Sequence, residues 1–108
     1  LKINILGSEW EIEFTSYLED EKLKDYFGYT DDTTRRIVVD NGNHRNICDY
    51  YERLKKQTIR HEIIHAYLYE SGLSDSWEHK TGHDETTIDW FAIQFPKLLK
   101  TFQEVDAL

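Results

Sequence analysis

The chain has 108 residues and a formal net charge of −8, with 13 Lys plus Arg against 21 Asp plus Glu. That length allows one compact domain and one modest core, and excludes separate catalytic and recognition domains. The acidic balance argues against DNA or RNA as the main partner, because a phosphate-tracking surface needs a basic stripe. The densest basic run, Arg53-Leu54-Lys55-Lys56 with Arg60, reads instead as a solvated helix face.

Hydrophobic residues make up 39% of the chain and aromatics 14%, which supports a folded globule over a disordered tail. Cys48 is the single cysteine, so no intrachain disulfide can form and a reducing compartment fits. Residues 1–6 lack the apolar core of a secretory leader, and no apolar run approaches a membrane span. The expectation is a cytoplasmic protein with no membrane partner.

Ile3, Ile5 and Leu6 precede Gly7-Ser8, and then Trp10, Ile12 and Phe14 alternate with Glu11 and Glu13. This predicts an opening β-hairpin with Gly-Ser in the turn and a half-buried second strand. Residues 17–25 are charged, with Leu18 and Leu23 as apolar points, and fit a short helix or a loop equally. Residues 26–30 and 36–40 are β-rich runs around Asp31-Asp32-Thr33-Thr34, which predicts a second hairpin. Ile37-Val38-Val39 is the strongest strand signal in the chain.

From about residue 46 to residue 70 the spacing turns helical, through Ile47, Tyr50, Tyr51, Leu54, Thr58, Ile64 and Leu68, with Ser71-Gly72 as the stop. Residues 73–80 read as a loop. Thr81-x-x-Asp84 offers a capping signature for a second helix running to about residue 95. Pro96 should bend that helix or start a further turn to residue 104. The expected fold is α+β: a small N-terminal antiparallel sheet packed on a long helix, plus a C-terminal helix. The whole chain, residues 1–108, is expected to form a single domain.

The most informative stretch lies in the first helix: His61-Glu62-Ile63-Ile64-His65, an H-E-x-x-H motif. Helix residues four apart share a face, so two imidazoles can point at one ion, with Glu62 beside the open coordination position. The bland alternative is a surface helix with two solvated histidines. By ordinary residue frequencies the motif turns up by accident in roughly a few of every thousand chains this long. A downstream acidic helix counts against accident. A catalytic zinc takes three protein ligands and leaves one position open. A metzincin would place its third His where Ser71 stands and would need a methionine, which the chain lacks. Glu85 is the better third ligand. Asp89, four residues on, shares its face and can accept a hydrogen bond from a ligating imidazole. The competing reading of both acids is simple charge at a helix N-terminus.

His61-Glu62-x-x-His65 followed by Asp84-Glu85-x-x-x-Asp89 resembles the gluzincin pattern, whose later helix carries N-E-x-x-S-D; here Asp84 and Ile88 stand in for the Asn and the Ser. Residues 85–96 also resemble the corresponding helix of ImmA/IrrE-like metallopeptidases. Both segments together are similar to small zinc peptidases encoded by phages and other mobile elements. The resemblance covers mainly residues 26–100. It implies a single zincin-like metallopeptidase domain over residues 1–108, its first helix the active-site helix and its C-terminal helix the one that carries the glutamate. It also implies a metalloprotease of the hydrolase class with Zn2+ as cofactor, His61, His65 and Glu85 as metal ligands, and a peptide or protein substrate. It further implies that the strand around Ile37-Val38-Val39 forms the upper rim of the cleft, where a peptide could add as another strand. The mechanism that follows is hydrolysis of a peptide bond by a zinc-bound water, with Glu62 as general base. His79, His83, Tyr29, Tyr67 and Tyr69 are candidates for an oxyanion donor. His44 and Cys48 receive no role.

Two alternatives stand beside this. Residues 61–68 also resemble the active-site helix of SprT-like proteases, in which a His after a Gly is the third ligand; Gly82-His83 fits that description. The other is a catalytically inactive zinc-binding adaptor module, with Trp77 and Trp90 as part of a recognition surface.

Overall fold

Alternating apolar residues build the first strand pair of the computed structural model, which describes residues 1–45, 51–74 and 84–108. Strands β1 (Lys2–Ile5) and β2 (Ser8–Thr15) pair antiparallel, with Ile3 opposite Trp10 and Ile5 opposite Ser8. The turn is Leu6-Gly7 rather than Gly7-Ser8. Both residues take positive φ, +51° and +92°, as a tight hairpin loop of this hand requires. Trp10 and Ile12 are buried as the alternation predicts. Phe14 is 41% exposed although it pairs with buried Val39, and the Lys55 ammonium lies 5.4 Å from the centre of its ring.

A short 3-10 turn, Glu21–Lys24, follows, capped by Asp20 and anchored by fully buried Leu23. The second hairpin is β3 (Gly28–Asp31) and β4 (Arg36–Asp40). Asp31 organises its turn by accepting from the Thr33 amide and from the hydroxyls of Thr33 and Thr34.

The sheet order is β1-β2-β4-β3, and β2 runs parallel to β4. The fold is therefore α+β with a four-stranded mixed sheet, not the antiparallel sheet that two local hairpins suggest. Residues 16–27 carry the chain to the far edge first, and β4 then returns between β3 and β2. Composition explains why β4 takes the inner place. Ile37, Val38 and Val39 are consecutive apolar residues, each at most 1% exposed, and such a run needs cover on both faces. This overturns the rim role of β4. Both its edges are already paired; among the described residues the edge strands are β1 and β3, and of these β3 lines the cleft.

Helix α1 (Tyr51–Glu70) lies across β3 and β4 and also touches β1. Its Ile59, Ile63 and Ala66 close the core formed by Ile5, Trp10, Ile12, Ile37 and Val39. Its C-terminal residue, Glu70, is an acid at the end of the dipole that disfavours acids. Three donors compensate: Ser8 Oγ at 3.1 Å, Trp10 Nε1 at 2.9 Å and the Arg35 guanidinium.

Helix α2 (Glu85–Glu104) packs on α1. Asp84 is its N-cap, accepting from the Thr86 amide at 3.1 Å and from the Thr87 hydroxyl at 2.6 Å. Pro96 neither ends the helix nor starts a new one; α2 runs through it. A proline has no N–H to give the carbonyl four residues earlier, here that of Ala92. Arg60 of α1 fills the place, its Nε donating to Ala92 O at 2.6 Å. Among the described residues, no helix is long and apolar enough to cross a membrane.

Candidate metal centre

Helical spacing puts Thr58 and Glu62 on one stripe of α1 and His61, His65 and Tyr69 on the next. All of these line a cleft of about 480 Å³, walled on one side by the β3 segment and on the other by Glu85 and Asp89 of α2. The core contacts of Ile59, Ile63 and Ala66 fix the rotation of α1 and so aim these stripes into the cleft.

His61, His65 and Glu85 converge. The two Nε2 atoms lie 3.1 Å apart. Glu85 Oε2 is 3.0 Å from His61 Nε2, and Glu85 Oε1 is 2.9 Å from His65 Nε2. Ligands about 2.0–2.2 Å from a tetrahedral zinc stand roughly 3.3 Å from one another, so small outward shifts would let these donors share one ion. Two imidazoles and a carboxylate also suit borderline cations chemically. The group could hold a metal ion. His65 is 8% exposed, whereas the Glu85 side chain is 68% exposed and reaches across from the first turn of α2.

Asp89 sits one helical turn beyond Glu85. Its Oδ1 lies 3.0 Å from His61 Nδ1. With an ion held at Nε2, Nδ1 would carry the proton and donate it to Asp89, the usual arrangement for the partner of a ligating imidazole.

Glu62 is 7% exposed. Burial pushes its carboxyl above the ordinary carboxylate range. A hydrogen bond from Thr30 and the charge of His61 pull it back, and the charge of Glu85 adds to the rise. Thr30 Oγ1 stands 2.6 Å from Glu62 Oε2 and 3.0 Å from the Glu62 carbonyl. Glu62 Oε1 is 4.0 Å from His61 Nε2. The role of Thr30 is absent from the reading of the sequence alone, because one threonine in a strand has no diagnostic spacing. The signal was a Gly-x-Thr on a strand that would come to face the H-E-x-x-H helix.

The tyrosines sort by direction. Tyr29 also lines the cleft, but its side chain alternates away from Gly28 and Thr30 and its hydroxyl donates to Asp20; burial, then Asp20, pushes its pKa up to about 12. Tyr67 is 44% exposed and does not line the cleft. Tyr69 does line it, and burial followed by the charges of Asp32, Glu62 and Glu85 raises its pKa. Cys48, Trp77, His79, Gly82 and His83 lie outside the described residues.

Searches of protein families, of curated proteins and of solved structures found no match to this chain.

Proposed function

We propose that the chain is a zinc-dependent metallopeptidase, a small zincin-like hydrolase of the gluzincin type. His61, His65 and Glu85 are its metal ligands, Glu62 its general base, and a peptide or protein its substrate. The observation that carries this reading is the meeting of two imidazoles and a carboxylate from separate helices beside a buried, otherwise unexplained glutamate. A structural zinc site closes its fourth position with protein and has no use for such a base. Among the described residues the group has three members, which leaves a position for water. Glu85 already stands against both imidazoles, which favours it over His83 as third ligand.

Zinc held there would act as a Lewis acid, bringing the pKa of water down to about 7 and polarising the scissile carbonyl. Glu62 takes the proton of the attacking water as the carbon–oxygen bond forms. It then delivers that proton to the amine nitrogen as the carbon–nitrogen bond breaks. The burial that raises its carboxyl pKa suits this double duty, since an acid–base group works best with a pKa near the working pH. Asp89 keeps the His61 ring in the ligating tautomer. Of the cleft-lining tyrosines, Tyr69 stands one helical turn beyond His65 on the same stripe of α1 and is the one assigned as donor to the developing oxyanion. An extended peptide is read as lying along β3, the edge strand that borders the cleft.

The test is a library of quenched fluorescent peptides offered to zinc-loaded protein. Wild type should cleave a subset, and Glu62→Gln should keep one zinc per chain while losing about 10²–10⁴-fold in turnover. Wild-type rates in Glu62→Gln would falsify the general-base assignment. A zinc-loaded wild type that cleaves nothing would leave the adaptor.

A further inference from the structure

β3 is a short edge strand whose alternation turns Gly28 and Thr30 to the same side, towards α1. A Cβ at residue 28 would stand 2.8 Å from Thr58 Cγ2, 2.9 Å from the Val38 carbonyl oxygen and 3.6 Å from Glu62 Cγ. The strand therefore reaches α1 because residue 28 has no side chain. That approach brings the Thr30 hydroxyl within 2.6 Å of Glu62 Oε2. A hydroxyl has one proton, and of its two contacts the shorter one, to the charged oxygen, holds it. The missing side chain at 28 and a donor at 30 thus act on one side chain. With Oε2 engaged, Oε1 is the oxygen left on the side of the metal ligands.

We propose that Thr30 is a positioning residue: by donating to Glu62 Oε2 it holds the carboxylate so that Oε1 exchanges the proton in peptide hydrolysis. This rests on the metallopeptidase reading above. The proton passes from water to Oε1 and from Oε1 to the leaving amine. Thr30 keeps its own proton throughout, and Oε2 remains its acceptor.

The experiment compares wild type, Thr30→Val and Thr30→Ser in zinc-loaded full-length chain. All should bind one zinc, with KM within about twofold of each other. Misplacing a catalytic group by about 1 Å costs on the order of 10²-fold, and kcat of the valine variant should fall by about that factor while serine restores most of it. A second readout needs neither zinc nor substrate. The 13C resonance of the Glu62 carboxyl in metal-free protein should move in Thr30→Val and stay in Thr30→Ser. Should the valine variant fail to fold, Thr30→Cys keeps the size with a weak donor and carries the same comparison. A valine or cysteine variant with wild-type kcat and an unmoved carboxyl resonance overturns the proposal, as does loss of kcat in serine equal to that in valine. Inactive wild type sinks the metallopeptidase reading and this one with it; active wild type with an equally active valine variant sinks this one alone.

Discussion

The two long helices hold the centre from opposite sides and are themselves held differently. α1 is built into the core through Ile59, Ile63 and Ala66, and Glu70 ties its end to β2 and to the β3–β4 turn. α2 buries Ile88 and Ala92, while Trp90, Phe91, Ile93 and Phe95 are each 43–51% exposed. Its polar ties to α1 among the described residues include the Arg60–Ala92 bond and the contacts of Glu85 and Asp89 with the imidazoles. One side of the centre is thus set by packing, whereas the other depends heavily on the centre itself. An ion shared by both helices would stabilise α2 more than α1, because a ligand adds most to the element it completes.

The largest test of this contrast is in the core. Ile37 is fully buried, and Ile37→Ala should cost about 2–5 kcal/mol in urea unfolding, which for a domain this small approaches its whole stability. Ile88→Ala on α2 should cost less and act mainly on zinc affinity, read by competition with a chelator. Equal losses in both variants would erase the distinction between the helices.

The next test is at the ligands. Asp89→Asn should weaken zinc by about 10- to 100-fold, the usual effect of removing the partner of a ligating imidazole. Glu85→Ala, which removes a direct donor, should exceed that, and His83→Ala should leave zinc content unchanged. Zinc retained in Glu85→Ala and lost in His83→Ala would transfer the third ligand to residue 83 and restore the SprT-like reading.

The smallest effect concerns α1 alone. The hydrogen bond from Arg35, followed by those from Trp10 and Ser8, holds the Glu70 carboxyl below its ordinary 4.5. The folded state therefore binds this proton less readily than the unfolded state. The stabilisation is complete above pH 4.5 and fades as pH falls through that value towards the lowered folded one. Glu70→Gln should flatten the acid side of the stability curve in that window and leave zinc affinity at neutral pH unaltered. An unchanged acid limb would show that the cluster contributes nothing to folding.

What was legible in the sequence was local. The alternation around Trp10 and Ile12, the apolar run of β4 and the four-residue spacing of His61 and His65 are each imposed by neighbours in the chain. The bounds of β4 are those the residues suggest, and β3 begins two residues later than its aromatic composition implies. Strand order was not legible, because whether a hairpin joins its neighbour through its first or its second strand depends on which surface is most in need of cover. For the same reason the cleft rim passed from β4 to β3. That α2 continues past Pro96 was one of the two outcomes the residues left open; what was hidden was the arginine, 36 positions earlier in the chain, that takes up the carbonyl Pro96 cannot serve. In the centre, His61, His65, Glu85 and Asp89 meet in space, while Thr30 emerges only once β3 is laid beside α1.

The lone proline has a further consequence. By withholding one rung of the α2 ladder it leaves the oxygen of Ala92 as a socket for the Arg60 guanidinium. A grip of this kind indexes one helix along the other. Were α2 to slip by a single residue, Glu85 would travel about 1.5 Å and swing about 100° around the axis, out of reach of both rings.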